Sequence, residues 1–459
     1  MISLPALRSQ LAGRAVGPGD AEYDEARMVF LGGIDARPAV IVRPAVDADV
    51  ARTIALARES GLPLAVRSGG HSGAGHSTAE GGIVLDLRDM NSVEIDADTR
   101  TAWVGAGVTA GELTAAAGAH GLAAALGDTG SVGLGGLALG GGVGFLARKH
   151  GLTVDSLLAA DVVTADGQVL RVDEASHPEL FWAIRGGGGN FGVATRFRLR
   201  LHDVDQVVGG MLMLPATAAT VAGFVAAAEA APEELTTIAN VVNCPPLPFV
   251  PQEHHGSLVI MALVCWAGDV ESGLAAMAPF TALAEPLADF VRPMPYSEIY
   301  PPAEPDYHPT AVSKTMFVER IGPDEAATIV DHLQSSDATL RAAQLRVLGG
   351  AVARVPADAT AYAHRARRIM VNIAAFYDGP QDRAARAAWV ADVVAALHQG
   401  DDSAYVNFLA DEGPDRVRAA YPGTTWDRLA AVKATYDPEN VFRLNQNVPP
   451  ARIPGPRDA

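Results

Sequence analysis

Cysteine is the scarcest residue of this chain. Only Cys244 and Cys265 occur among 459 residues, too few for a disulfide framework at this length and without the spacing of a metal site. We expect both to be buried thiols. The adjacent His254 and His255 lack a third ligand at useful spacing, so they predict no metal site either. The composition therefore favours a protein without structural metals or disulfides.

Basic residues are also in deficit. Lys and Arg number 35 against 53 Asp and Glu, a net charge of −18 that repels nucleic acid phosphates and anionic lipid surfaces. No uncharged apolar run reaches the roughly 18 residues of a membrane span, and the first residues lack the pattern of a signal peptide. We expect a cytoplasmic monomer or homodimer, with neither nucleic acid nor membrane as a partner.

Glycine, in contrast, is abundant, with 47 residues, and three segments are especially rich in it. Residues 67–72 form a short glycine turn that contains His71, residues 127–144 hold nine glycines, and residues 185–192 hold a third cluster. We expect residues 127–144 to be irregular backbone laid against a ligand, because a packed helix or a central strand tolerates few glycines. Exposed backbone N–H groups in such segments form anion sites that suit a pyrophosphate.

Apolar periodicity predicts both helices and strands, an α+β chain. Because 459 residues exceed one ordinary domain, we expect two domains. The pattern changes after about residue 204, where we place a boundary. The predicted strands are 39–43, 62–66, 83–87, 92–96, 101–105, 158–164, 168–172, 193–201, 257–266, 344–348, 370–376 and 404–409. The predicted helices are 50–60, 111–120, 178–184 and 425–435.

Two glycine motifs match the dinucleotide-binding fingerprint in sequence alone. One runs from Gly187 to Gly192, and the other from Gly142 to Ala147 with Asp161 at a suitable distance. The fingerprint requires a strand before the glycines and a helix after them. Around Gly187 the predicted order is reversed, and more glycines precede Gly142. A nicotinamide-type Rossmann fold is therefore not the favoured reading.

Four separated motifs resemble those of the berberine-bridge-enzyme-like FAD-linked oxidases. They are Arg67-Ser-Gly-Gly-His-Ser; Gly133-Leu-Gly-Gly with Gly140-Gly-Gly-Val-Gly; Leu180-Phe-Trp-Ala-Ile-Arg-Gly-Gly-Gly-Gly-Asn-Phe-Gly-Val-Ala-Thr; and Tyr405-Val-Asn-Phe with Tyr436-Asp-Pro-Glu-Asn-Val-Phe-Arg-Leu-Asn-Gln-Asn. The resemblance covers almost the whole chain. Bacterial members, including flavoenzymes of antibiotic pathways, are the most similar in pattern.

This resemblance implies the two-lobed fold of the vanillyl-alcohol-oxidase and p-cresol-methylhydroxylase family. Residues 1–204 are then an FAD-binding domain that residues 410–459 complete. Residues 205–409 are a substrate-binding domain built on an antiparallel sheet backed by helices.

The resemblance also implies a covalent bond between the 8α-methyl group of FAD and His71. Many relatives carry a second, cysteinyl link where this chain has Thr129, so we expect a single link. Val132 matches a position that controls oxygen access, and its small side chain fits dioxygen as the acceptor. The residues implied in FAD binding are Arg67, Ser68, Gly69, Gly70, His71, Ser72, Thr129, Val132, Gly133, Gly135, Gly136, Gly141, Gly144, Gly189, Asn190, Gly192, Val193, Asn407, Asn445 and Asn447.

The substrate side is expected on strands of the second domain, where alternate residues share a face. Gln344, Arg346 and Leu348 share one side, as do Asn372 and Ala374, and Tyr405 and Asn407. Tyr405 is the first choice for the catalytic base, although a core tyrosine is an equal alternative. Arg346 is a candidate to assist Tyr405 or to bind a substrate carboxylate or enolate, and Asn372 to orient the substrate. Candidates to cover the substrate are Tyr300, Tyr307, His308 and Lys314.

The resemblance implies oxidation of a C–O or C–N bond in a small or secondary-metabolite substrate. Hydride passes to FAD, and dioxygen is reduced to hydrogen peroxide. One alternative is a flavin-dependent oxygenase or cyclase acting on a polyketide-like substrate. Relatives with a flavin N5-oxide have threonine at the position of Val132, which weighs against it. Another alternative is a flavin-binding protein without turnover.

Overall fold

A computed structural model describes residues 3–302, 304 and 306–452. Its first elements are α1 (Leu4–Arg8), β1 (Arg14–Val16), α2 (Tyr23–Arg27), β2 (Val40–Arg43), α3 (Asp47–Ser60), β3 (Leu64–Arg67) and β4 (Ile83–Asp86). The strands form a sheet of order β1-β2-β4-β3, in which both neighbours of β4 run parallel to it. All of β4 is buried, as is typical of a strand covered on both faces. The strand β3 leads directly into the glycine turn at residues 67–72.

The next elements include the five strands of a second, antiparallel sheet. They are β5 (Val93–Asp96), β6 (Thr101–Gly105), α4 (Ala110–Gly118), β7 (Leu122–Ala123), α5 (Leu134–Gly140), α6 (Ala147–His150), α7 (Thr153–Ser156), β8 (Leu157–Val163), β9 (Val169–Val172), α8 (Pro178–Ile184), β10 (Val193–Arg200) and β11 (His202–Asp203). The sheet order is β5-β6-β10-β8-β9, and β7 pairs with β11. The strands predicted at residues 158–164 and 168–172 are confirmed as the antiparallel pair β8 and β9.

The expectation of purely irregular backbone at residues 127–144 is wrong, because α5 lies inside this segment. The helix packs its backbone directly against the first glycine turn. A Cβ atom on Gly135 would lie 3.1 Å from Ser68 Cβ, and one on Gly133, just before the helix, 2.0 Å from Ser68 Oγ. Tertiary packing thus requires small residues here and overrides the low helix propensity of glycine.

A third, eight-stranded sheet is antiparallel at every pairing. Its strands and helices are β12 (Gln206–Pro215), α9 (Ala218–Ala230), β13 (Leu235–Asn243), β14 (Leu258–Trp266), α10 (Val270–Ala276), α11 (Ala278–Thr281), β15 (Ala288–Asp289), β16 (Arg292–Pro295), β17 (Ala311–Val318), α12 (Pro323–Ser335), β18 (Arg341–Val347), α13 (Ala351–Arg354), β19 (Ile369–Phe376) and α14 (Arg383–Leu397). The order is β15-β12-β14-β13-β18-β19-β17, and β16 also pairs with β12. The helices α9, α12 and α14 pack with one face of this sheet in a single apolar core.

The opposite face of this sheet turns toward the first part of the chain. Arg148 of α6 joins the two parts, because its buried guanidinium donates to the carbonyl oxygens of Ala228 at 3.0 Å, Ala231 at 2.9 Å and Leu235 at 2.8 Å. These acceptors include carbonyls at the C-terminal end of α9, which its own backbone leaves free. The arginine therefore ties α6 to the eight-stranded sheet and its helix α9.

The strand predicted at residues 404–409 is wrong. The segment forms one turn of 3₁₀ helix at Val406–Phe408, in which Phe408 N donates to Tyr405 O at 2.9 Å. The turn packs on α5. Because a helix pairs its backbone N–H and C=O groups internally, α5 offers no strand edge to pair with. The turn therefore pairs its own backbone groups locally. The chain then continues through α15 (Pro414–Ala420) and α16 (Thr424–Tyr436).

The α+β composition agrees with the sequence, and most predicted elements are present within a few residues of the expected bounds. The boundary near residue 204 falls between β11 and β12, but the domain limits themselves stay a prediction. Across the ranges that the structure describes, no helix is both long and apolar enough to cross a membrane.

Candidate active site

A cavity of about 520 Å³ lies between the glycine segments and the eight-stranded sheet. All three predicted catalytic residues line it, namely Arg346, Asn372 and Tyr405. The predicted cofactor residues in its wall are Ser68, Gly69, Gly70, His71, Ser72, Thr129, Val132, Gly133, Gly135, Gly136, Gly189, Asn190, Gly192, Val193, Asn407 and Asn445. The structure does not bring four others into the wall, namely Arg67, Gly141, Gly144 and Asn447.

Arg67 supports the first glycine turn from behind. Its buried guanidinium donates to Asp86 Oδ2 at 2.9 Å and to Ala26 O at 2.5 Å. Asp86 is fully buried and also pairs with Arg43 at 3.1 Å and Arg88 at 2.8 Å. Because a buried carboxylate needs partners, this cluster anchors the strand end that precedes the turn.

The first and second glycine segments meet backbone to backbone. Gly70 has φ +76°, a conformation that favours glycine. A Cβ atom on Gly69 would lie 2.3 Å from Gly133 N. Ser68 Oγ donates to Ala106 O at 2.6 Å and accepts from Gly135 N at 3.3 Å. These contacts make the two segments one rigid wall.

Asn190 joins the third glycine segment to the C-terminal return. Its Nδ2 donates to Gly187 O at 2.8 Å and Gln446 O at 3.1 Å, and its Oδ1 accepts from Val448 N at 2.9 Å. These bonds occupy the amide, so the Asn190 side chain shapes the wall while its backbone forms part of the surface.

Lys433 supports the same junction from within the core. It is fully buried and pairs with Asp437 at 2.6 Å. Its Nζ also donates to Asn190 O at 2.7 Å and Phe442 O at 2.8 Å. Asp437 accepts in turn from Val441 N at 2.8 Å. Every charged atom of the pair therefore has a partner, which is the condition for a tolerable buried ion pair. The (i, i+4) spacing is a signal that could have revealed it.

The cavity wall fits FAD. A Cβ atom on Gly136 or Gly189 would meet no atom within 4 Å, so these glycines leave open space along the cavity. Asn372 and Asn445 line the cavity, and the Oδ1 atom of each is buried without a protein partner. Buried polar atoms in proteins are nearly always hydrogen-bonded. Their lack of protein partners and the open glycine surface together suit a large polar ligand.

His71 lies at the cavity wall with a neutral imidazole. Burial lowers its pKa to about 4, and a backbone contact with Ser131 opposes this shift. The ring stacks on Phe30 with centroids 4.2 Å apart and planes 18° from parallel. A neutral imidazole has a free electron pair and can act as a nucleophile.

Arg346 is already engaged by several protein groups. Its Nη2 donates to Asp128 Oδ2 at 2.5 Å and to Gln344 Oε1 at 2.7 Å, and its Nη1 donates to Val143 O at 3.3 Å. Gln344 Nε2 donates in turn to Asn240 Oδ1 at 2.9 Å. Because Asp128 neutralises the guanidinium, the arrangement does not favour the carboxylate-binding role that the sequence suggested for Arg346.

Tyr405 is buried, and its hydroxyl oxygen accepts from Gly142 N at 2.8 Å and Asn407 Nδ2 at 3.1 Å. Burial raises the pKa of Tyr405, and these two donors oppose the shift. The hydroxyl therefore keeps its proton at neutral pH. Although the segment is not a strand, Tyr405 and Asn407 still share one side, and both line the cavity.

The four predicted covering residues differ in position. Tyr300 is not a mobile cover, since its hydroxyl donates to Gly127 O at 2.8 Å and its ring packs on the core. His308 bonds to Val29 O at 3.1 Å. Tyr307 is 47% exposed and meets Phe30 edge-on. Lys314 lies 3.8 Å from Glu412.

Neither cysteine lines the cavity. Cys244 and Cys265 are buried, and burial raises the pKa of Cys265 to about 12. The wall also contains residues that the sequence did not single out, notably Phe30, His76, Asp128 and Ser313. An acidic residue inside a glycine segment was the one available signal for Asp128.

Comparisons with known proteins identify the family. Residues 38–173 match the model of an FAD binding domain, and residues 404–449 match the family described as berberine and berberine like. The (R)-6-hydroxynicotine oxidase of Paenarthrobacter nicotinovorans is 31% identical over 96% of this chain and 97% of its own length. The xylooligosaccharide oxidase of Thermothelomyces thermophilus is 30% identical over 91% of this chain and 88% of its own length.

A solved structure extends the match to three dimensions. The crystal structure of 6-hydroxy-D-nicotine oxidase from Arthrobacter nicotinovorans has a TM-score of 0.84 and 29% identity, and the match covers 96% of this chain and 98% of that one. The predicted fold class, FAD as the cofactor and the assignment as an enzyme are confirmed. The chain belongs to the berberine-bridge-enzyme-like family of FAD-linked oxidoreductases.

Proposed function

We propose that this chain is an oxidase of a small, uncharged alcohol or amine, with dioxygen as the final electron acceptor. The proposal rests on the neutral character of the cavity wall. The charged pair in that wall, Arg346 with Asp128, is mutually satisfied, and the pKa of both His71 and His76 is lowered by burial. A charged substrate group would therefore lose its hydration without gaining a counter-charge.

Several groups would hold FAD. The backbone of Ser68, Gly69 and Gly70 offers a concave site for the pyrophosphate, and His71 is the proposed attachment point, with Thr129 where a second link would otherwise be. When bound, FAD supplies the two-electron acceptor, which takes a hydride from the substrate and is reoxidised by dioxygen with release of hydrogen peroxide.

Two side chains are proposed to act on the substrate, one by binding it and one by taking its proton. Asn372 lines the cavity and its Oδ1 has no protein partner, so we propose that its amide accepts an O–H or N–H of the substrate. Tyr405 lies in the same wall, with its oxygen held by Gly142 N and Asn407 Nδ2. These two donors favour the deprotonated oxygen and oppose the effect of burial, which raises the pKa of Tyr405. We therefore infer that Tyr405 takes the substrate proton in its deprotonated form, which alkaline pH populates.

A panel of uncharged alcohols, amines and their carboxylate analogues tests this function. We expect hydrogen peroxide to appear in equal amount to the oxidised product, with the carboxylates inert. Oxygen from ¹⁸O₂ found in the product would contradict the oxidase and favour the oxygenase alternative. Acid precipitation provides the test of attachment: flavin that stays with the wild-type protein, but is released from His71→Ala, supports the link. Flavin released from the wild-type protein contradicts it.

A further inference from the structure

We infer that Phe30 is a positioning residue for flavin attachment, because its ring holds the His71 imidazole in the orientation from which the covalent bond forms. Phe30 lies outside all the glycine segments, and the sequence does not mark it. This inference rests on the proposed function, since it presupposes that His71 is the attachment point.

The geometry is a stacked pair at the cavity wall. The Phe30 and His71 rings are 4.2 Å apart between centroids and 18° from parallel, and both residues line the cavity. A face-on neighbour restricts rotation of the imidazole about its bond to Cβ. The imidazole also has a backbone contact with Ser131. Together they favour one ring orientation, as a precisely placed reacting group requires.

Phe30 is itself fixed from two directions. Phe30 N donates to Gly70 O at 3.1 Å, which ties it to the residue directly before His71. On the other side, His308 Nδ1 lies 3.1 Å from Val29 O and 3.3 Å from Phe30 O. The backbone that carries the phenyl ring is therefore held by both the glycine turn and the segment at His308.

The attachment reaction makes this orientation matter. One N–C bond forms between the imidazole and the 8α-methyl carbon, while one C–H bond of that methyl group and the imidazole N–H are lost. The two protons and two electrons released reduce one dioxygen to hydrogen peroxide. The imidazole must therefore present an unprotonated nitrogen toward the methyl carbon, and the stack restricts the ring to orientations that can do so.

The test compares attachment rates in variants of the full chain. Proteins produced under riboflavin limitation are mixed with FAD in air, and acid-precipitable flavin is followed over time. Phe30→Leu keeps an apolar side chain but removes the aromatic face, whereas Phe30→Tyr keeps that face. We expect attachment to slow about three- to tenfold in Phe30→Leu, as loss of an aromatic stacking energy implies, and to remain near the wild-type rate in Phe30→Tyr. Non-covalent FAD binding, measured by flavin fluorescence before attachment, should change less than twofold.

Matched controls separate the possible outcomes. Phe249→Leu alters an exposed aromatic pair elsewhere and should attach flavin at the wild-type rate. If the wild-type protein never retains flavin after acid treatment, the proposed attachment at His71 fails. If the wild-type protein attaches flavin and Phe30→Leu does so equally fast, the role of Phe30 is overturned while the attachment stands. Equal slowing in Phe30→Leu and Phe30→Tyr would likewise overturn it.

Discussion

The guanidinium of Arg346 and the carboxylate of Asp128 meet at 2.5 Å, although the residues are 218 positions apart in the chain. Arg346 lies on β18 of the eight-stranded sheet, and Asp128 lies in the second glycine segment. The pair therefore joins the two walls of the cavity. It also removes charge from the substrate side, which is why we propose an uncharged substrate.

Replacing Asp128 should show how much this ion pair contributes to the free energy of unfolding. In Asp128→Asn, the guanidinium of Arg346, whose side chain is only 4% exposed, loses its counter-charge. We expect the free energy of unfolding to fall by about 2 to 3 kcal/mol, toward the lower range for breaking a buried pair because Asp128 is partly exposed. Urea denaturation measures this. Glu233→Gln, which breaks the exposed pair with Arg354, is the control and should cost less than about 1 kcal/mol. Equal losses in the two variants would contradict the expectation.

Tyr405 as the base predicts an alkaline pH dependence. The active form is the deprotonated hydroxyl, and burial raises the pKa of Tyr405 above its ordinary value. We therefore expect kcat/KM to rise with pH up to and beyond the ordinary tyrosine pKa of about 10. In Tyr405→Phe, kcat/KM should drop about 100-fold or more, and the dependence on this group should vanish. A Tyr405→Phe variant that keeps the wild-type pH profile would rule out Tyr405 as the base.

Asn372→Leu should affect substrate and stability in opposite directions. The variant removes a buried oxygen that has no protein partner, so the ligand-free protein should be as stable as the wild type or more stable. The same oxygen is the proposed acceptor for the substrate, and kcat/KM should fall about 10- to 100-fold. Thermal unfolding and steady-state kinetics measure the two effects. Loss of stability together with unchanged kcat/KM would show that Asn372 is structural.

Two stacked histidines should make the protein sensitive to acid. The rings of His150 and His202 lie 4.1 Å apart, and burial lowers the pKa of each to about 4. The unfolded chain binds protons near pH 6.5, whereas the folded chain resists them, so stability should fall as the pH drops from 6.5 toward 4. His202→Gln should reduce the proton uptake on unfolding at pH 5 by about one. An unchanged uptake would contradict this assignment. His398→Gln, at an exposed site, is the control.

The sequence predicted the helices and strands well where a local residue pattern is what makes the element form. The helix α8 begins at Pro178 as expected, because proline is favoured in the first turn of a helix. The buried apolar runs of β4 and β14 were likewise predicted. The failures, at α5 and at Val406–Phe408, lie where two glycine-rich or polar segments pack on each other. There the neighbouring backbone, rather than local propensity, sets the conformation.

The candidate site shows the same division. His71 and the three glycine segments were predicted because their function depends on residue type in a short stretch, and a resemblance to a family preserves that. Phe30, Asp128 and the buried pair of Lys433 with Asp437 were not predicted. The role proposed for Phe30 depends on its stacking against His71, which lies far from it in the chain.

The sequence by itself determined the family, FAD as the cofactor and the lack of a cysteine at position 129, because each depends on which residue occupies a given position. Only the tertiary structure decided that Arg346 is neutralised by Asp128, that Asn372 keeps an unpartnered oxygen, and that burial raises the pKa of Tyr405 above its ordinary value. These properties depend on burial and on hydrogen-bond partners from distant segments. Both arise only when the chain has folded and water has been removed from the site.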